Sequence, residues 1–206
     1  MVATPPRCAH RDVAFLMLSD RRYIAMLTIR CSWDRGAYEE AYQAMMANFL
    51  LRSATAADAA AAWVVRCQAI AYGCRDHYPA ELLAQWLPAP MPASFPAKLE
   101  ALSLVIAESN NSLVGFAGLN PRRAEIDAAF VAPAFAGQGL GRRMLDHLEI
   151  IAMDLRLAGL SLKASRNAVA FYRSVGYHAT DEGTPVSSTG LRIPCVNMAK
   201  NLAAAS

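Results

Sequence analysis

From residue 49 onward the spacing of apolar positions changes period repeatedly, and each change marks an element. FLLRS opens as a short apolar strand. Thr55 then stands three residues ahead of Asp58, the spacing of a capping box, at the head of the alanine-rich run ADAAAAWVVRCQAIAY. That run predicts a long helix to about Tyr72, which Gly73 can end. PAELLAQWL (79–87) predicts a second, short helix with proline in its first turn, and PAPMPASFP (88–96) a proline-rich loop.

The next forty residues alternate at the period of strands. LSLVIAES (102–109) and SLVGFAGL (112–119) flank the tight turn Asn110-Asn111, and NPRR (120–123) turns the chain into AEIDAAFV (124–131). This is an antiparallel meander. The period then returns to 3.6: GLGRRMLDHLEIIAMDLRLAG carries Leu140, Met144, Leu148, Ile151 and Leu155 as one stripe, with Arg142, Arg143, Asp146 and Glu149 mostly away from it. LSLKA (160–164) is a strand. Ser165 stands as cap of a helix, RNAVAFYRSVG, closed by Gly176, and YHAT and LRIPCVNMA read as two last strands. The order β-α-α-β-β-β-α-β-α-β-β predicts an α+β fold with a mixed, mostly antiparallel sheet flanked by helices.

Composition changes this picture little. A hydrophobic fraction of 55% over 206 residues is ample for a core, and a net charge of +3 calls for neither nucleic acid nor a membrane surface. No apolar run is long enough to span a bilayer. The five cysteines are scattered without a CxxC pair, and the four histidines show no ligand spacing, so no metal site is expected. Cys67 and Cys74, two helical turns apart, read as reduced thiols on one buried face, as in a reducing cytoplasm. Residues 1–47 read less clearly and contain a small helical pattern, AYEEAYQAMM. They are expected to be an extension of a domain that begins near Met46 and occupies 48–206.

The segment VAPAFAGQGLGRRML (131–145) places Gly137, Gly139 and Gly141 where a strand hands over to a helix. Such a junction brings unpaired helix N–H groups close to a ligand, and the helix dipole favours an anion there. Arg142 and Arg143 in the first turn add positive charge that the helix itself does not ask for. On the glycines alone, a phosphate cradle and a plain connector are equally compatible. A Walker A loop needs Gly-Lys-Ser/Thr, and Gly141 is followed by arginine. A dinucleotide fingerprint needs GxGxxG in a βαβ unit with an acid about 20 positions on; here the spacing is GxGxG and the next strand ends LKAS.

The run AEIDAAFVAPAFAGQGLGRRML resembles motif A of the GNAT superfamily of acetyl-CoA-dependent N-acetyltransferases: Val131 and Pro133 match its Val-x-Pro, and Gly139 and Gly141 its helix-opening glycines. Ala136 departs from the usual Arg or Gln. KASRNAVAFYRSVGY resembles a later motif of the family at Ser165, Asn167, Ala168, Phe171, Tyr172, Gly176 and Tyr177, and RSATAADAAAAW its first strand and helix. The resemblance covers roughly residues 49–200.

It implies an acyltransferase in which the strand before the glycine loop splays from its neighbour and the pantetheine arm of acetyl-CoA lies in the gap. The Phe130 and Val131 backbone would hold that arm. The amides of Gly137, Gln138, Gly139, Leu140, Gly141 and Arg142 would hold the pyrophosphate, with no side chain from Ala136, and Asn167 would touch the cysteamine end. Tyr172 would protonate the departing thiolate. Glu125 stands where several members carry a general base, and Asp127, two residues on, would share its face. Tyr72, His77, Tyr78 and Trp86 fall in a region that often borders the acceptor pocket. No cysteine falls in either motif, so direct attack of the amine is expected rather than an acyl-cysteine. The expected partner is a small-molecule or peptide amine, with no nucleic acid and no membrane, and a terminal strand is available for a homodimer. An acyl-CoA-binding module without turnover is the alternative that Ala136 favours and Tyr172 opposes.

Overall fold

The computed structural model describes residues 49–87, 90–185 and 190–202; the expected extension, with its AYEEAYQAMM pattern, lies outside the described residues. Seven described strands form one sheet: β1 Leu50–Ser53, β2 Ser103–Ser109, β3 Ser112–Asn120, β4 Glu125–Val131, β5 Gly159–Ser165, β6 His178–Gly183 and β7 Cys195–Asn201. Their order is β1-β2-β3-β4-β5-β7-β6, and every pairing is antiparallel except β4 with β5. The helices are α1 Ala59–Gly73, α2 Ala80–Trp86, α3 Phe95–Ala101, α4 Leu140–Asp154 and α5 Val169–Ser174. The class is the expected one. The order gains one helix, α3, at the end of the stretch expected to be only a proline-rich loop. Pro96 sits in its first turn, where no backbone donor is needed, and Leu99 is buried against the sheet.

Local chemistry explains the elements. Asn110 and Asn111 both have positive φ, 49° and 59°, the conformation of a type I′ hairpin turn. Asp58 reaches back to the Thr55 amide at 2.8 Å and hydroxyl at 3.0 Å. It also takes two bonds from Arg52 on β1, whose guanidinium goes on to Glu108 on β2. The guanidinium, ahead of the Thr55 bonds, holds the Asp58 carboxyl down at about 2. One arginine thereby ties the first strand, the start of α1 and the second strand together.

The sheet separates two apolar layers. Leu104, Ile106 and Phe116 face α1 and α3, while Val105, Ala107, Ala117 and Leu119 face α4. On α4 the buried face is wider than the expected stripe. Leu140, Met144, Leu145, Leu148 and Ala152 are buried, whereas Leu155 lies past the helix end and is exposed. Glu149, expected on the polar side, is buried too. Its carboxylate receives Lys200 of β7 at 2.7 and 2.6 Å, and the same ammonium donates to the Val175 carbonyl at 2.9 Å. The charge is tolerated inside because a partner from a strand 51 residues away meets it.

Removing one member of such a pair leaves the other desolvated and unpaired. Lys200→Met is expected to cost roughly 2–3 kcal/mol, at the low end for a pair that water partly reaches, or a Tm drop of about 5–10 °C by thermal denaturation. Adding Glu149→Leu to that variant should restore most of the loss. A double variant as unstable as the single one would show that the pair is not what the helix depends on.

Candidate functional site

The parallel contact between β4 and β5 is short. Glu125 lies opposite Ser161 and Ile126 opposite Leu162, and there the pairing ends, while β5 continues alongside β7 to Ser165. The cause is visible on the other side of β4. Ile126 pairs with Leu119 and Ala128 with Gly118, so Asp127 is an extra residue with no partner on β3. A bulge of this kind bends its strand and increases the local twist. It also reverses the alternation. Ile126 packs on the α4 side, yet Ala128 and Phe130, an even number of residues on, pack on the α1 side.

Beyond the bulge the strand offers unpaired backbone to the gap. Ala132 donates to the Val114 carbonyl at 2.8 Å, which makes residues 132 and 114 a hydrogen-bonded pair. By the alternation of an antiparallel ladder, Phe130 and Ala128 also turn their N–H and C=O groups toward β3, and Val131 and Ala129 turn theirs toward β5. The expected contribution of Val131 is therefore available. The Phe130 backbone instead serves the ladder with β3, and Ala129 is the other residue whose backbone faces the gap.

The glycine loop stands over this gap. After a short turn, Pro133–Phe135, the chain passes Gly137 at φ 76° and Gly139 at φ 80° and enters α4. Gly139 is the N-cap in a left-handed conformation, which a side chain with a branched Cβ disfavours. The first intrahelical bond is from the Arg143 amide to the Gly139 carbonyl, so the amides of Leu140, Gly141 and Arg142 have no helical acceptor. Gln138 braces the loop from within, donating through Nε2 to the Ala134 carbonyl at 2.9 Å. Ala136 is exposed and adds only its methyl. Gly141 serves another purpose: a Cβ there would stand 3.2 Å from Phe171 Cζ and 3.8 Å from Val131 Cγ2. The end of β4, the start of α4 and helix α5 close on one another at this point. The residues present thus fit a pyrophosphate with a peptide-like arm: free amides at a helix start, and a strand with unpaired N–H and C=O groups leading away from it.

Tyr172 follows Phe171 on α5. Its ring is 7% exposed and packs against Phe171 and Tyr177 at 5.1 and 5.9 Å between centroids. Burial pushes its hydroxyl up to about 12, so it stays protonated through the physiological range. Asn167 meets the end of α1. Its Oδ1 accepts from the Cys74 thiol at 3.3 Å, and its Nδ2 fills the space a Cβ on Gly73 would need. Ser165 makes no side-chain cap to the turn Arg166–Ala168, contrary to expectation.

The two carboxylates do meet, through an arginine of the NPRR turn that leads into β4. Arg123 reaches Glu125 Oε2 and Asp127 Oδ1, both at 2.7 Å, and Lys163 of β5 bonds the other oxygen of Glu125. The expectation that Asp127 shares the face of Glu125 rested on alternation, which the bulge interrupts; the shared arginine brings them together instead. Glu125 and Lys163 border an open cleft of about 310 Å³ with Ser161, Thr180, Asp181 and Asn197. In LSLKAS the signal for this polar face was present: Leu160, Leu162 and Ala164 are buried, and Ser161 and Lys163 alternate with them.

Of the four residues in the region that often borders the acceptor pocket, Tyr78 is buried and Trp86 packs on it at 5.7 Å, while Tyr72 is 54% exposed under Arg75 and His77 is exposed. Cys74 is buried and Cys67 is only partly so, which corrects the shared buried face.

Comparison with known proteins gives three findings. The family model of the acetyltransferase (GNAT) domain matches residues 74–202. The N-alpha-acetyltransferase RimI of Mycobacterium tuberculosis is 36% identical over an alignment 81 residues long, with 34% of this chain and 49% of that protein covered; the chain thus spans about half the length of this curated relative. Among solved structures, a GCN5-related N-acetyltransferase from Rhodopseudomonas palustris aligns with a TM-score of 0.69 at 30% identity, over 74% of this chain and 95% of that one. The PaiA N-acetyltransferase of Thermoplasma acidophilum, solved with coenzyme A, shares the fold with a TM-score of 0.60 at 16% identity, over 74% and 98%.

The loop geometry generates a direct prediction. Gly139→Val forces a branched side chain into the left-handed N-cap and displaces the free amides. Coenzyme A binding by titration calorimetry should weaken at least tenfold, while the melting temperature falls by only a few degrees. Undiminished affinity would mean that the loop is a connector and not a cradle.

Proposed function

Since this chain belongs to the GNAT family of acetyltransferases, whose domain model it matches over residues 74–202, we propose that it moves an acetyl group from acetyl-CoA to an amine by direct attack. The observation that carries this reading is the parting of β4 from β5 at the Asp127 bulge, which opens the gap that runs on to Val131 and the glycine loop. Bound there, acetyl-CoA supplies an activated thioester. The amides of Leu140, Gly141 and Arg142, with those of the preceding loop, hold the pyrophosphate. Arg142, exposed and only 3.9 Å from Asp146 in a loose contact, adds positive charge beside them. The gap-facing groups of Val131 and Ala129 hold the pantetheine arm.

Tyr172 carries the proton for the leaving thiolate. Its raised pKa keeps the hydroxyl loaded at any pH at which the acceptor amine is free to react. Glu125 takes the proton released by the amine, through water, and Arg123 and Lys163 fix its carboxylate at the edge of the cleft. The acceptor enters by that cleft, which Glu125, Lys163 and Asp181 line. The demand on the base depends on the acceptor. An α-amino group with a pKa of about 8 is roughly one-tenth neutral at pH 7, whereas a lysine amine near 10.4 is less than about one-thousandth neutral. An α-amine needs little help, and the M. tuberculosis relative is described as an N-alpha-acetyltransferase. Peptide N-termini therefore head the acceptors to be tried.

Thiol release from acetyl-CoA across a panel of peptide termini and small amines tests the activity. Turnover with at least one of them is expected; binding of acetyl-CoA without turnover on any would favour a sensing module. With the best acceptor, Tyr172→Phe should lower kcat about 100-fold, the usual share of a general acid, and leave acetyl-CoA affinity within about twofold. Unchanged kcat would remove Tyr172 from the mechanism.

A further inference from the structure

The turn between β5 and α5 lacks the cap expected from Ser165, and a residue from a distant part of the chain supplies it. Tyr78 lies in the link between α1 and α2 and is 6% exposed. Its hydroxyl accepts from the Arg166 amide at 2.9 Å, across 88 residues of sequence. The same hydroxyl donates to the Pro194 carbonyl at 2.8 Å, 116 residues away and one residue before β7. One phenol therefore uses both its donor and its acceptor capacity on backbone groups of two other segments. The Arg166 amide opens the turn Arg166–Ala168 and, like any N–H at a helix start, has no partner within it.

A second contact ties the same two regions. Cys74, four residues before Tyr78, bonds Asn167 Oδ1, and the absent side chain of Gly73 leaves room for the Asn167 amide. Residues 73–78 and 166–167 are thus joined by two hydrogen bonds, with one close approach at Gly73. Helix α5 begins at Val169 with no break after this turn, and Tyr172 is in its first turn. Because α5 has only six residues, its placement depends on how its leading turn is held.

We propose that Tyr78 is a positioning residue for Tyr172: by pinning the Arg166–Ala168 turn to the α1–α2 link and to the start of β7, its hydroxyl sets where α5 holds the Tyr172 hydroxyl. The proposal rests on the acetyltransferase reading, in which Tyr172 donates the thiol's proton. Small displacements of a proton donor are costly to rate and cheap to binding, since the cofactor's own contacts lie on β4 and α4.

Tyr78→Phe removes both bonds and keeps the ring that packs on Trp86. The test compares kcat and acetyl-CoA KM for the wild type, Tyr78→Phe, Tyr172→Phe and the double variant, each well below its melting temperature. Tyr78→Phe should lose about tenfold in kcat, with KM within twofold. That loss should disappear in the Tyr172→Phe background, where no hydroxyl remains to be placed. An unchanged kcat, or the same tenfold loss in both backgrounds, overturns the proposal. Amide exchange at Arg166 is read on the same proteins and should quicken at least tenfold in Tyr78→Phe; unaltered exchange also overturns it, whatever the rates. A wild-type protein that acetylates no acceptor defeats the acetyltransferase reading, and the Arg166 exchange then still decides whether Tyr78 holds the turn.

Discussion

A single extra residue in one strand determines the rest of the site. Asp127 has no partner on β3, and the pairing of β4 with β5 ends at Ile126, the residue before it. Strands that part inside a sheet leave backbone N–H and C=O groups without partners, which is expensive in a half-buried place. The arrangement makes physical sense if another chain-like molecule takes the place of the missing strand partner. A pantetheine arm, with its own amide groups, has the right chemistry, and the glycine loop at the far end of the gap suits the phosphates that such an arm carries.

The bulge also divides the labour of the two faces. On the α4 side, Val131, Gly141 and Phe171 pack together and bring α5, with Tyr172, against the end of the gap. On the other side, Glu125, Lys163 and Asp181 line an open cleft. On the proposed reading, a proton donor on one side and a carboxylate on the other serve amine acetylation, in which one proton leaves the amine and one reaches the thiolate. The three glycines do not share a task. Gly137 and Gly139 allow backbone turns with positive φ, and Gly141 allows two helices to approach.

Much of this was legible in the residues. Alternation locates the meander, the 3.6 period locates α4, and two spaced motifs carry the likeness to the family. What escaped has a common physical reason: it depends on pairs that are far apart in sequence. Nothing in AEIDAAFV distinguishes a regular strand from one with a bulge, because the extra residue is defined only against β3. Glu149 looked solvated until Lys200 met it from β7. Ser165 had the local form of a cap, but the Arg166 amide is satisfied by Tyr78. Helix α3 was hidden for a different reason: its proline-rich approach dominated a seven-residue window, although Phe95, Leu99 and Leu102 repeat at helical spacing.

The central claim is that the gap beside β4 receives coenzyme A through specific backbone groups. Amide exchange of β4 measured by NMR, with and without saturating coenzyme A, tests it most directly. Protection should rise at least tenfold at Val131 and Ala129, which face the gap, and stay nearly constant at Phe130 and Ala128, which already serve the ladder with β3. Binding that leaves Val131 and Ala129 unprotected, or that slows all four amides alike, would contradict the account.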